Sequence, residues 1–336
     1  MQRMPEPIRK VLLRSFKGGT KLDSLVRERL HWYGVEQVTD PESAQAVLVL
    51  GSDRDLLETL QTMGDRPLPL LHVSPPGYTT FFSSLEWEKL NEGLGTVVKG
   101  NYELEEVMRL KVVVDEDSTF FSLNEVGLFS SKSAVLLDYL LVINGESVWR
   151  DVSDGVIVAT PTGSTAYALS AGGPMIMRNS RVLEIVPVNS VNPLRKTLVL
   201  PDDSVIEIRE VASKVGCEIV VDGVVRHRVK SEVTMTKAER GVTFIRLGRR
   251  LTDSIERKAK ITMELAEMPP SAKFVYKVLE MQGEASTKEL ARLTGLSERT
   301  VRYALSILAE KGLVERAVNI RDPRSRVYIS LPKRGS

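Results

Sequence analysis

Three stretches of this 336-residue chain combine residue types and spacings that suit chemistry. The first runs Asp154-Gly155-Val156-Ile157-Val158-Ala159-Thr160-Pro161-Thr162-Gly163-Ser164-Thr165-Ala166-Tyr167 and continues Ala168-Leu169-Ser170-Ala171-Gly172-Gly173-Pro174. An apolar strand there runs into a turn of Thr, Ser and Gly that opens a helix. The unpaired N–H groups of a helix start suit the polar or anionic groups of a ligand, and Tyr167 can pack against a ring. Capped turns of this kind also occur without ligands, so residue types alone leave a binding and a structural reading open. The second stretch, Gly51-Ser52-Asp53-Arg54-Asp55, follows another apolar strand and sets the Asp53 carboxylate in a tight loop. The third is basic and near the C-terminus: Arg299, Thr300, Arg302 and Tyr303, then Arg321, Arg324 and Arg326. A further loop, Lys17-Gly18-Gly19-Thr20-Lys21, lacks the spacing of a Walker A loop and reads as a strand-to-helix turn. His31, His72 and His227 are scattered, and Cys217 is the single cysteine, which argues against a zinc site.

The elements that must hold these stretches change character along the chain. Lys10 to Ser15, Ala46 to Leu50 and Leu68 to Val73 read as strands, and helical periodicity fills Leu22 to Tyr33 and Leu56 to Met63. This is the βαβ rhythm of an open, mostly parallel sheet. From about Lys99 the pattern becomes short β-rich runs: Arg109 to Val114, Leu136 to Asn144, Gly155 to Ala159, Thr197 to Leu200, Val205 to Arg209, Glu218 to Val221 and Val242 to Leu247. Turn residues separate them, as in an antiparallel β domain, with one helix near Tyr167 to Ala171. Pro269-Pro270 closes a charged segment and marks a boundary. The expected organisation is an α/β domain over 1–98, a β-rich domain over 99–250, a linker over 251–270 and a helical module over 271–336.

That last module reads as a winged helix-turn-helix. Phe274, Val275, Val278 and Leu279 share one face of a first helix. Ser286-Thr287-Lys288-Glu289 fits a capping box, and Ser297 caps a third helix stopped by Gly312. Val301, Leu305 and Leu308 turn inward, leaving Arg299, Thr300, Arg302, Tyr303 and Ser306 for solvent. Such residues reach base edges and phosphates in a major groove. Leu313 to Ala317 and Arg326 to Leu331 form the wing, whose arginines Arg321, Arg324 and Arg326 meet the backbone or minor groove. The segment resembles the winged helix-turn-helix domains of prokaryotic transcription regulators; a protein-interaction winged helix with solvated arginines is the alternative. Residues 271–336 carry 13 Lys and Arg against 7 Asp and Glu, while the remainder carries 33 against 37. A basic end on a mildly acidic body is the footprint of a nucleic-acid-binding appendage.

The body resembles the ATP-dependent NAD kinase family. The Asp154–Pro174 stretch is similar to that family's signature almost residue for residue. Gly100-Asn101-Tyr102-Glu103 to Leu110, Leu123-Asn124-Glu125-Val126, Leu200-Pro201-Asp202-Asp203-Ser204 and Val221-Asp222-Gly223 follow in the family's order. The resemblance implies an α/β domain and a β-rich domain that bind NAD or NADP, with ATP and Mg²⁺ if the kinase works. It implies that Asn124 and Glu125 hydrogen-bond the adenine and ribose region and that Asp154 meets the nicotinamide side. Thr162, Thr165, Ala166, Tyr167 and Ser170 would line the site, and Tyr78 would lie beside the base. Asp53 would be the base for the sugar hydroxyl. The family's loop reads Gly-Gly-Asp-Gly-Thr, however, and here Ser52, Arg54 and Asp55 replace the second glycine, the last glycine and the threonine. Side chains at glycine positions limit the approach of phosphate to backbone amides, and Asp55 adds a repelling carboxylate, whereas Arg54 offers a cation.

The expected function is a nucleotide-responsive DNA-binding regulator acting as a homodimer or higher homo-oligomer on double-stranded DNA. An active NAD kinase with an appended DNA-binding domain, or a kinase of another small alcohol, are the alternatives. The chain is 42% hydrophobic and 27% charged, as soluble proteins are. It shows no signal-peptide core over Met1 to Arg9 and no apolar run near the roughly 20 residues that span a bilayer. With a lone cysteine this points to the cytoplasm and away from membranes.

Overall fold

The computed structural model describes residues 5–15, 20–76, 80–132, 134–247, 268–282, 284–318 and 326–330. Tyr78, Arg321, Arg324, the Lys17-Gly18-Gly19 turn, the expected linker up to residue 267 and the Arg326 side chain lie outside what it describes. The chain groups into two units. Met1–Leu56, Leu71–Glu103 and Arg246–Ser336 form the first, and Leu57–Leu70 with Leu104–Ile245 form the second.

The α/β part has strands β1 (Lys10–Ser15), β2 (Glu36–Val38), β3 (Ala46–Leu50), β4 (Leu70–Ser74) and β5 (Leu85–Glu86), and helices α1 (Thr20–Trp32), α2 (Asp53–Met63) and α3 (Leu90–Val97). Strand β1 pairs in parallel with β2 and β3, and β5 pairs in parallel with β4. The sheet runs β2-β1-β3-β4. Every residue of β3 is buried, which is why Ala46-Val47-Leu48-Val49-Leu50 contains no polar alternation. Helix α2, expected from Leu56, begins three residues earlier, so most of the Gly51–Asp55 loop is helix start rather than loop.

The β-rich part follows with β6 (Glu103–Val107), β7 (Leu110–Val114), β8 (Ser118–Ser122), β9 (Glu125–Ser130), β10 (Leu137–Ile143), β11 (Glu146–Ser153) and β12 (Gly155–Ala159). A single helical turn, α4 (Tyr167–Ser170), precedes β13 (Val182–Val188), β14 (Leu198–Pro201), β15 (Ile206–Ala212), β16 (Cys217–Val221), β17 (Val225–Val229), β18 (Val233–Lys237) and β19 (Val242–Arg246). Two six-stranded sheets result, ordered β11-β10-β15-β18-β7-β8 and β14-β13-β12-β9-β16-β17. Their alternate residues share one core: Val112 and Val114 from one sheet, Val126, Leu128, Val156 and Val158 from the other, with the fully buried Tyr139 among them.

The C-terminal module contains α5 (Pro270–Gln282), β20 (Glu284–Ala285), α6 (Thr287–Thr294), α7 (Glu298–Glu310), β21 (Val314–Val318) and β22 (Arg326–Ser330). The wing is an antiparallel β21–β22 pair with β20 on the far side of β22. Ser286 and Glu289 close the expected capping box, and α6 ends at Gly295 with φ +70°. Ala272, Val275, Tyr276 and Leu279 of α5 pack on Val301, Ala304, Leu305 and Leu308 of α7. One expectation fails: Phe274 is 47% exposed and the adjoining inward place is taken by Tyr276, which is 1% exposed. No helix among the described residues is long and apolar enough to cross a membrane.

Candidate functional site

In the second unit the Asp222 carboxylate organises the residues that the sequence singled out. Asp222 and Gly223 turn the chain between β16 and β17 with φ of +51° and +70°, conformations that suit Asp-Gly. Oδ1 of Asp222 accepts from Ser122 Oγ at 2.6 Å, Asn124 N at 2.7 Å and Glu125 N at 3.3 Å, and Oδ2 accepts from Leu123 N at 2.9 Å. Gln61 Nε2 of α2 reaches Oδ2 at 3.2 Å and the Phe121 carbonyl at 2.7 Å. Burial pushes this carboxyl above its ordinary range, while Ser122 and the three amides pull it down. The turn Ser122–Glu125 is thus held by one side chain at three successive amides and at the Ser122 hydroxyl. Asn124 is 6% exposed, and its Oδ1 has no hydrogen-bond partner among the described residues. Such an orphaned acceptor suits the amino group of a base.

The signature stretch is locked onto the same turn. Thr160 N donates to Asn124 O at 2.9 Å, and Thr160 Oγ1 donates to Leu123 O at 2.7 Å. Gly163 lies so close that a Cβ there would sit 2.0 Å from Asn124 O. Thr162 is buried at 5% exposure, and Thr165 and Ala166 are half-buried. Thr165 Oγ1 donates to Thr162 O at 3.3 Å. The expected helix is a single turn, α4, with Tyr167 at its start and Ser170 exposed at its end. Tyr167 is 46% exposed, its ring 5.8 Å from that of Phe129. Its phenol is pushed up by burial first and then by the charges of Asp154 and Glu125, so it stays protonated. Asp154, between β11 and β12, accepts from Asn189 Nδ2 at 2.8 Å. Asn124, Glu125, Asp154 and the Thr162–Tyr167 turn are therefore one neighbourhood, with Ser170 at its edge.

Sequence reading missed two residues here. One is Asp222 itself, noted as part of a turn but not as its anchor. The other is Glu184 of β13, which pairs across from Ala159 of β12. Glu184 is fully buried with both oxygens unpartnered, and burial raises its pKa to about 7.

The loop of the first unit is organised differently from a phosphate cradle. Ser52 is the residue before α2, and Asp55 is its third helical residue. Asp55 Oδ2 accepts from Ser52 N at 2.8 Å and from Ser52 Oγ at 2.5 Å, while Asp55 N faces Ser52 Oγ at 3.4 Å. This is a capping box, built from the residues that replace the glycine and threonine. The same carboxylate fills the space over Gly51, where a Cβ would meet Asp55 Oδ2 at 2.8 Å. Behind the loop, fully buried His72 is held neutral chiefly by desolvation, and its Nε2 bonds Gly51 O at 2.9 Å. Asp53 turns back into the protein: Oδ2 accepts from Phe81 N at 2.7 Å and Oδ1 from Phe82 N at 3.1 Å. Arg54 is exposed.

On the helix-turn-helix, Ser297 caps α7 through Thr300 N at 3.2 Å, and the two hydroxyls bond each other at 2.8 Å. Arg299, Arg302 and Tyr303 are exposed and Thr300 is half-exposed. Arg302 pairs with Glu298 one turn back at 2.6 Å, a surface contact of small worth that a phosphate would readily replace.

The family model of the ATP-NAD kinase C-terminal domain matches residues 123–247, and that of the DeoR-like helix-turn-helix domain matches residues 273–319. The chain is 35% identical over 189 residues to the NAD kinase of Alcanivorax borkumensis, covering 54% of this chain and 62% of that one. It is 30% identical over 212 residues to the NAD kinase of Methanopyrus kandleri, covering 63% and 76%. Yeast NADH kinase complexed with NADH superposes with a TM-score of 0.69 at 20% identity, covering 79% of this chain and 90% of that one. An NAD kinase from Archaeoglobus fulgidus in complex with ATP gives 0.62 at 25%, covering 74% and 98%. These matches define a protein with an NAD-kinase-type body and a helix-turn-helix of the DNA-binding kind at its C-terminus. The chain belongs to the NAD kinase family.

Two expectations follow from the site's geometry. Gly163→Ala forces a methyl into the Asn124 backbone, and a urea melt should show a loss of about 3 kcal/mol or more; an unchanged melt would mean that the two turns are not locked together. For Glu184, the folded chain keeps its proton to about pH 7 while the unfolded chain releases it near the ordinary value. Stability is therefore full in acid and falls as pH rises from about 4.5 to 7, by about 3 kcal/mol. Glu184→Gln should remove this slope, so that its melting temperature gains on the wild type between pH 5 and pH 8.

Proposed function

We propose that this protein is a nucleotide-responsive regulator of transcription, in which an NAD-kinase body has kept its nucleotide site and lost phosphoryl transfer. The observation that carries this is the Ser52–Asp55 capping box. An anion-binding loop works through backbone N–H groups left open to the ligand. Here the Ser52 N–H is taken by the Asp55 carboxylate, and the same carboxylate occupies the space above Gly51. The residues do not fit the triphosphate of ATP with its Mg²⁺. Asp53, the residue that would act as base, is occupied as a cap for two backbone amides.

The nucleotide side supports binding. The unpartnered Asn124 Oδ1 accepts from an adenine amino group, Glu125 takes the ribose, Asp154 meets the nicotinamide end, and Thr162, Thr165, Ala166, Tyr167 and Ser170 line the site for NAD or NADP. Tyr78 belongs beside the base by its place in the sequence. Arg299, Thr300, Arg302 and Tyr303 then read double-stranded DNA from the start of α7, assisted by Arg321, Arg324 and Arg326 in the wing. Two-fold pairing of copies matches two half-sites, and the setting is the cytoplasm. Regulation requires nucleotide to favour one state of the protein over another. The presence of Asp53 supports the second reading, an active NAD kinase with an appended DNA-binding domain.

The deciding experiment measures NADP formation from NAD with ATP or polyphosphate and Mg²⁺, beside calorimetry of NAD and NADP. Binding without turnover is expected, with some activity restored in the Ser52→Gly/Arg54→Gly/Asp55→Thr triple variant; turnover at ordinary enzyme rates sinks the proposal. On duplexes selected by the protein from a randomised pool, Arg302→Ala should weaken binding and flatten the salt dependence by about one ion. Anisotropy curves that overlay the wild type would remove α7 as the reading helix.

A further inference from the structure

The second unit holds a cavity of about 150 Å³ that none of the candidate nucleotide residues lines. Leu60, Met63, Pro67, Leu68 and Val242 give it an apolar side, and the rest of its lining is polar. Arg109, 3% exposed, lines it together with the exposed Arg66 and Arg240. A space of this volume admits a molecule of about benzene size.

Arg109 is an unusual side chain to bury. It donates through Nη1 to Gly64 O at 2.8 Å and through Nη2 to Asp65 Oδ1 at 2.7 Å and Arg240 O at 3.4 Å. Its guanidinium lies 4.8 Å over the Phe121 ring. Its Nε–H is buried with no hydrogen-bond partner. Asp65 is 45% exposed, so water weakens its compensation of the arginine. Desolvation accordingly outweighs Asp65 and drags the guanidinium below its ordinary range. A buried charge in this condition gains from an anion.

We propose that the cavity binds a small organic monocarboxylate with a compact apolar body, its carboxylate paired with Arg109 and its body against Leu60, Met63, Pro67, Leu68 and Val242. The apolar side chains favour an anion with an organic body over inorganic phosphate, which has no apolar surface to set against them. A carboxylate needs donors at one end only. Glu106 also lines the cavity, its carboxylate held by Gly241 N at 3.0 Å.

The test uses the full chain, with benzoate and 3-methylbutanoate as probes and benzamide and inorganic phosphate as controls, read by calorimetry and by the melting temperature. At least one carboxylate should bind saturably with one site per chain and raise the melting temperature, and neither control should do so. Arg109→Gln should weaken that binding about tenfold or more. Because this variant can fail to fold, Leu68→Trp fills the cavity with Arg109 left in place. It should abolish binding with an unchanged circular dichroism spectrum. Absence of saturable binding by both carboxylates, equal binding of benzamide, or binding that survives Leu68→Trp would each overturn the proposal.

Discussion

One buried carboxylate governs the candidate nucleotide site. Asp222 satisfies four donors in the Ser122–Glu125 turn, and a fifth comes from Gln61. Taking a carboxylate out of water is costly, and it is tolerated because nearly every lone pair is met by a donor of fixed direction. The geometry that follows is not local. With the turn fixed, Asn124 O and Leu123 O are in place for Thr160, and Asn124 lies where only a glycine at 163 can approach it. Three segments far apart in the chain are thereby set to within a hydrogen-bond length of one another.

The Gly51–Asp55 loop shows the opposite use of the same chemistry. Backbone amides at the start of a helix must be satisfied by something. A phosphate-binding loop leaves that demand to its ligand and needs bare glycines to let the ligand near. Here Asp55 and Ser52 satisfy it from within. The result is a better-capped helix, typically worth about 1 kcal/mol, and a loop whose Ser52 amide is already taken. Stability of α2 and capacity for a triphosphate compete for one set of donors.

Much of this was legible from residue order alone. The bounds of β3 and β12 coincide with their apolar runs because strands buried on both faces admit no polar residue, and flanking glycines and polar residues stop them sharply. The caps at Ser286 and Ser297 were readable because Ser with a partner three residues on is a local signal. Phe274 was misplaced because five apolar or aromatic residues crowd Phe274 to Leu279, and periodicity cannot choose which of Phe274 and Tyr276 turns inward. The Ser52–Asp55 box carries the same local signal, Ser with a carboxylate three residues on. Asp222, Glu184 and Arg109 were illegible for another reason: their roles depend on partners in distant segments, and nothing within a helical or strand period announces them.

The capping box also bears on how readily such a loop changes over generations. Its two halves have value only together. Replacing Asp55 alone strips the Ser52 amide of its partner, yet leaves side chains at 52 and 54 in the way of a ligand. Replacing Ser52 alone leaves the Asp55 carboxylate over Gly51. Each single replacement therefore loses a cap without opening the loop, so the loop behaves as a ratchet that only a concerted change of both residues releases.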